Sequence, residues 1–223
     1  MKLSGTTAFV TGANRGLGRH FAQELLARGA KKVYAAARNP DAIDLPGVEK
    51  IRLDITAPAA VAAAVAQAPD VDLLINNAGI GGTDNLISGD LDEIRRQLET
   101  HFFGTLGMVR GFAPVLGTNG GGAVLNVLSV LSLVSMPEAG AYAAAKAAQL
   151  SLTNSIRYEL AAQGTLVSGL LLAATDTDMM AGYDVPKNDP ADVIRTALDG
   201  LEADLTEILA DEPTRQAKAS LAG

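Results

Sequence analysis

The chain has no cysteine and no tryptophan in its 223 residues, and only 4% of it is aromatic. Without a thiol, a disulfide framework, a thiolate metal site and a cysteine nucleophile are all excluded, which suits a reducing, cytoplasmic setting. Positive charge is scarce too: 18 Lys and Arg against 25 Asp and Glu give a formal net charge of -7. That balance, with a sequence pI of about 4.8, repels a polyanionic backbone and offers no basic stripe to anionic lipid. Neither nucleic acid nor a membrane surface is an expected partner. Long hydrophobic runs are also missing. The opening MKLSGTTAFVTGANRG is broken by Gly and Arg too soon for a secretory leader, and no stretch approaches the roughly 20 apolar residues of a membrane span. No metal site is expected.

What is present is a large apolar fraction, 48%, enough to bury a substantial core in one domain. There is no internal repeat and no Pro-, Gly- or Ser-rich linker to divide the chain. Short apolar, β-branched runs alternate with helical periodicity. Strands are expected at 6–10, 32–36, 50–53, 71–75, 123–127, 166–171 and 207–210, and helices at 17–28, 58–68, 91–112 (ended by Pro114), 141–162 and 191–201. Residues from 213 onward read as a tail or terminal helix. Strands that are apolar without alternation are covered on both faces. The βαβ rhythm therefore predicts an α/β fold: a doubly wound, Rossmann-type parallel sheet of about seven strands flanked by helices.

Between the first strand and first helix lies Thr11-Gly12-Ala13-Asn14-Arg15-Gly16-Leu17-Gly18. Helix N-termini there offer unpaired N–H groups and partial positive charge to a pyrophosphate, and glycines let the backbone approach. The same glycines also serve plain turning and packing. Three further features accompany the loop: Asn76-Asn77-Ala78-Gly79 after the fourth strand, Tyr142 and Lys146 spaced i, i+4 on one helix face, and Ser129 thirteen residues before Tyr142. In this order and spacing the motifs resemble those of the short-chain dehydrogenase/reductase family, with its TGxxxGxG, NNAG and YxxxK segments. The resemblance covers about residues 6–180.

The resemblance implies a cofactor part over about 1–125 and a catalytic and substrate part over about 126–212. Gly12, Asn14, Arg15, Gly16, Leu17 and Gly18 would cradle the dinucleotide. Asp54 with Ile55 would meet the adenine, Asn77, Ala78 and Gly79 would run beside the ribose, and Thr177 would hold the carboxamide. Helix capping is the competing role for both Asp54 and Thr177. The second strand ends Ala36-Ala37-Arg38-Asn39 with no carboxylate to bond a ribose 2'-hydroxyl. Arg38 and Arg15 could instead clamp a 2'-phosphate, which favours NADP(H).

Tyr142 would pass the proton, Ser129 would steady the substrate oxygen, and Ser132 and Ser135 compete for that role. A free phenol titrates near 10, and a lysine charge about 4 Å away at an effective dielectric of about 20 supplies the roughly 4 kcal/mol needed to bring it near neutrality. Leu131, Val134, Met136, Met179, Met180 and Tyr183 would line an apolar pocket, with residues 179–190 as a lid.

Two departures from the family stand out. His101 occupies the place of a catalytic asparagine, where an imidazole titrating near neutrality could take over part of a proton relay; the opposing reading is a merely packed histidine and a weakened enzyme. Leu172-Ala173-Ala174 replaces the usual Pro-Gly. The expected function is NADPH-dependent hydride transfer with a small or medium hydrophobic ketone or aldehyde. A catalytically weak NADP(H)-binding sensor or interaction protein is the alternative. A homodimer or homotetramer pairing the two long helices is implied by the resemblance.

Overall fold

The computed structural model describes residues 1–83 and 85–221. Strands β1 (Thr7–Thr11), β2 (Lys32–Ala37), β3 (Glu49–Arg52), β4 (Leu73–Asn76), β5 (Ala123–Val127), β6 (Leu166–Leu171) and β7 (Glu207–Leu209) form one sheet. Its order is β3-β2-β1-β4-β5-β6-β7 and every pairing is parallel. This is the doubly wound α/β fold expected from the sequence. Strands are added outward from β1 to one side as β2 and β3 and to the other from β4 onward, so the loops leaving the C-terminal ends of β1 and β4 diverge and open a crevice.

The helices are α1 (Gly16–Ala27), α2 (Pro58–Gln67), α3 (Leu91–Leu98), α4 (Thr105–Thr118), α5 (Gly140–Glu159), α6 (Pro190–Glu202) and α7 (Glu212–Ser220). Successive strand residues point to opposite faces, and each face has its own apolar layer. Val10, Val33 and Leu73 meet Phe21 of α1 and Val193 of α6. Phe9, Leu74 and Val124 meet Val61 of α2, Phe112 of α4 and Ile156 of α5. The Phe9 and Phe112 rings lie 4.8 Å apart, a packing whose truncation to Ala costs about 3–5 kcal/mol.

One expectation about a helix end is corrected. The helix expected to stop at Pro114 runs on to Thr118, with a π-helical turn at Glu99–Gly104 between α3 and α4. Pro114 is exposed, as is Arg110 one turn earlier, so the carbonyl the proline cannot bond faces water. Of the two readings for residues from 213 onward, a tail or a terminal helix, the structure forms the helix: Asp211 caps α7 through the Thr214 N–H, and Thr214 is wholly buried. Residues 222 and 223 lie outside the described residues. The helix expected over 141–162 ends three residues early at Glu159, before a 3₁₀ turn at Ala161–Gln163, and other boundaries move by one or two residues, the ordinary fraying of element ends.

Candidate active site

The loop from β1 into α1 forms one end of a cleft of about 1340 Å³ that crosses the C-terminal edge of the sheet. Gly12 has φ of +66°, and a Cβ there would stand 2.9 Å from the Cα of Ala78. Only glycine allows the loops after β1 and β4 to lie this close. Thr11 knits them together. Its Oγ1 accepts from the N–H groups of Asn77 and Ala78, both at 2.9 Å, and the Asn77 amide donates back to the Thr11 carbonyl at 2.9 Å. Thr11 was not among the expected site residues, although its place at the strand's end was a usable signal.

Gly12, Asn14, Arg15, Gly16, Leu17, Arg38, Asp54, Ile55, Asn77, Ala78, Gly79 and Thr177 all line the cleft, as expected. Gly18 does not. It is buried, and a Cβ there would stand 2.2 Å from the Gly12 carbonyl oxygen, so it packs α1 against the loop. Asp54 lines the cleft but does not cap α2, whose N-cap is Ala57 with no side-chain cap bond. It accepts from the Thr56 hydroxyl and N–H, which hold it below the usual carboxylate range, with a weaker contribution from Arg38. Thr177 stands at the start of a short 3₁₀ turn, but its hydroxyl makes no cap and donates to the Thr175 carbonyl instead. Arg38 makes no ion pair among the described residues, whereas Arg15 lies 3.6 Å from Asp178, just after Thr177.

The reacting groups converge where β5 and α5 meet. Ser129 begins the turn after β5, and its Oγ accepts from the Leu131 N–H at 3.1 Å, which leaves its own proton for the cleft. Its competitors are eliminated. Ser132 is buried outside the cleft, where its hydroxyl accepts from the Ser129 N–H at 3.2 Å, and Ser135 is exposed and outside the cleft. Lys146 is 5% exposed, donates to the Val127 carbonyl at 2.8 Å and to Gln149 Oε1 at 2.9 Å, and lies 5.8 Å from the Tyr142 ring centroid. Gln149, in turn, donates to Thr105 of α4 at 2.9 Å.

The charge balance differs from the sequence expectation. Burial pushes Tyr142 up to about 12, opposed by the Ser129 hydroxyl, and burial pushes Lys146 down to about 7. A 4 Å ion pair in a well-screened medium would have lowered the phenol. Desolvation governs both groups instead, because the protein packed around them penalises each charged form. The phenol therefore holds its proton at neutral pH and the ammonium is poised to lose one.

His101 is corrected in the same way. It sits buried in the π turn with its ring edge-on to Tyr142, centroids 5.3 Å apart. Burial first, then the Lys146 charge, pushes it down to about 3, so it is neutral and does not titrate near pH 7. Nε2 lies 2.9 Å from the Ile80 carbonyl oxygen, which only accepts, so Nε2 carries the proton. Nδ1 is buried without a hydrogen-bond partner. One turn earlier Gln97 donates to the Gly81 carbonyl at 3.0 Å, so the two side chains strap the segment after β4 in place.

Leu131, Met136, Met179, Met180 and Tyr183 line the far end of the cleft. Val134 does not: its N–H bonds back to the Val130 carbonyl, and that extra turn carries its side chain away. Met179 closes across the cleft, its Cγ 3.3 Å from where a Cβ on Gly81 would stand.

A crevice at the sheet's switch point that fits a dinucleotide, ending in a phenol, an ammonium and a hydroxyl, is the equipment of a dinucleotide-dependent oxidoreductase. Residues 6–187 match the short chain dehydrogenase family, and the chain belongs to it. The solved short chain dehydrogenase from Burkholderia cenocepacia J2315 in complex with NADP has a TM-score of 0.96 at 37% identity, covering 100% of this chain and 95% of that one. Sorbitol dehydrogenase of Cereibacter sphaeroides is 31% identical over 82% of this chain and 76% of its own length. The 3-oxoacyl-(acyl-carrier-protein) reductase of Escherichia coli is 31% identical over 80% and 77%.

Proposed function

We propose that this protein is an NADP(H)-dependent carbonyl reductase or alcohol dehydrogenase acting on small or medium apolar ketones or aldehydes. The residues present suit the cofactor: a glycine cradle that a Cβ would fill, and Arg38 exposed at the cleft where β2 ends in Ala36-Ala37 without a carboxylate of its own. The relative from Burkholderia cenocepacia holds NADP, which supports the same choice. Bound NADPH would supply the hydride.

The observation that carries the reading is the convergence of Ser129, Tyr142 and Lys146 on one apolar-walled space. Ser129 donates its free proton to the substrate oxygen and favours the charge that builds there. Tyr142, protonated at neutral pH, gives that oxygen its proton. Lys146, poised near pH 7 with its Nζ 5.8 Å from the Tyr142 ring centroid, would restore the phenol's proton. Met136, Met179 and Met180 adapt to apolar substrates of varied shape.

A second reading, an NADP(H)-binding sensor with little turnover, is favoured by one observation. The groups bonded to Lys146, a carbonyl and a carboxamide, exchange no proton at neutral pH, and His101 is neutral. Following NADPH absorbance against a panel of apolar ketones and aldehydes separates the two. Turnover supports the enzyme; tight NADPH binding with no turnover on any of them supports the sensor.

A homodimer or homotetramer belongs to the same proposal, since Phe103, Arg110, Ala144, Ala147, Ser151 and Tyr158 leave an exposed face on the long helices. Light scattering tests it. A cytoplasmic location is proposed from the missing cysteine. Among the described residues no helix is long and apolar enough to cross a membrane.

A further inference from the structure

Away from the reacting groups, one buried carboxylate collects donors from three separate segments. Asp211 leaves β7 and is 7% exposed. Its Oδ1 accepts from the Thr214 N–H at 2.8 Å, an ordinary helix cap. Its Oδ2 serves no purpose of the helix. It accepts from the Ala173 N–H at 2.8 Å and from the Asn188 side-chain amide at 2.8 Å, groups 38 and 23 residues earlier in the chain.

One partner, Ala173, lines the cleft, and the other, Asn188, lies two residues past the lining residue Pro186. Ala173 lies in the stretch after β6, where the Leu172 carbonyl accepts from the Val130 N–H at 2.8 Å and so fixes the wall to the turn that bears Ser129. The stretch ends at Thr177, whose Cβ would stand 3.5 Å from a Cβ on Gly16 of the glycine loop. Asn188 closes the lid. Its N–H donates to the Ala174 carbonyl at 2.8 Å, its carbonyl accepts from the Asp176 N–H at 3.0 Å, and it bridges Thr175. The lid at 178–187 is thus a loop with its two ends stitched together. Asp211 Oδ2 holds the stitch to the body of the protein. Pro213, two residues on, lines the cleft as well.

We propose that Asp211 is a positioning residue. By holding Ala173 and Asn188 on one oxygen, it sets the wall beside Ser129 and Tyr142 and fixes the closing end of the lid, so that α7 supports the reacting half of the site. It touches no reacting atom. Its effect on cofactor and substrate rests on the NADP(H) reading given above, whereas its effect on the wall does not.

Asp211→Asn keeps the cap oxygen but turns an NH₂ donor onto two donors. Two measurements on the whole protein read the result. Hydrogen exchange without cofactor is expected to quicken at 172–177 and 188 while β1 and β4 stay protected. The dissociation constant of NADPH is expected to rise about tenfold, and that of 2',5'-ADP, which lacks the nicotinamide half, to stay within twofold. Unchanged exchange at 172–188, or equal weakening of both ligands, overturns the proposal.

Asn188→Ala guards against a variant that fails to fold, because it leaves Asp211 bonded to Ala173 and Thr214. Trypsin is expected to cut this variant's lid after Lys187 several-fold faster than in wild type; an unchanged rate overturns the proposal. A wild type that binds neither NADPH nor 2',5'-ADP would instead remove the cofactor reading, with exchange and trypsin still deciding the role of Asp211.

Discussion

Replacing Lys146 by Met tests the most consequential electrostatic feature of the site, a buried ammonium whose proton is loosely held. Burial lowers its pKa from 10.5 to about 7. The unfolded chain therefore holds nearly one more proton than the native state between these values, and stability rises with pH there. It is lost again as pH falls toward 7, and below about pH 6 both states are protonated and the contribution is flat. At about 1.36 kcal/mol per pH unit, the wild type should gain about 2 kcal/mol on Lys146→Met between pH 7 and 9. The bonds to Val127 and Gln149 lost in the variant add an offset that does not vary with pH. Urea unfolding of both proteins without cofactor at pH 6, 7, 8 and 9 gives the curve. A stability difference that is flat from pH 6 to 9 would refute the desolvation argument, and with it the claim that Lys146 is ready to pass a proton at neutral pH.

Arg38→Asp should weaken NADPH binding by about 10- to 100-fold, the loss of charge-assisted bonds to a phosphate, while NADH binding improves; fluorescence titration with both cofactors reads the ratio, and an unchanged ratio removes Arg38 from cofactor choice. His101→Asn should retain or raise kcat. Because burial holds the imidazole at about 3, the wild-type pH-rate profile should show no limb between pH 5 and 8 that the variant abolishes, and such a limb would reinstate a titrating histidine.

The site was legible in the sequence where function depends on local chemistry at fixed spacing. Gly12 and Gly16 announce a backbone that must turn sharply beside a helix N-terminus, and Tyr142 with Lys146 reach one space because a helix repeats every 3.6 residues. What escaped was tertiary. Ala173 and Asp211 are far apart in sequence, and no pattern says that one carboxylate will gather the end of the lid. The charge states of Tyr142, Lys146 and His101 depend on how completely surrounding segments exclude water, which spacing does not encode. Gly18 was assigned to the cofactor because it completes the motif, but its contact with the Gly12 carbonyl makes it a packing glycine. Val134 and Pro114 failed for a related reason: a turn or helix that runs slightly further than its sequence signals moves a side chain out of its expected place.

The central claim is that Tyr142 delivers the proton in an NADPH-dependent carbonyl reduction. Tyr142→Phe keeps the ring that packs against His101 and removes only the hydroxyl. With an apolar ketone that the wild type reduces, NADPH absorbance should show kcat reduced at least a hundredfold and NADPH affinity within about twofold of wild type. Turnover at the wild-type rate would contradict the account.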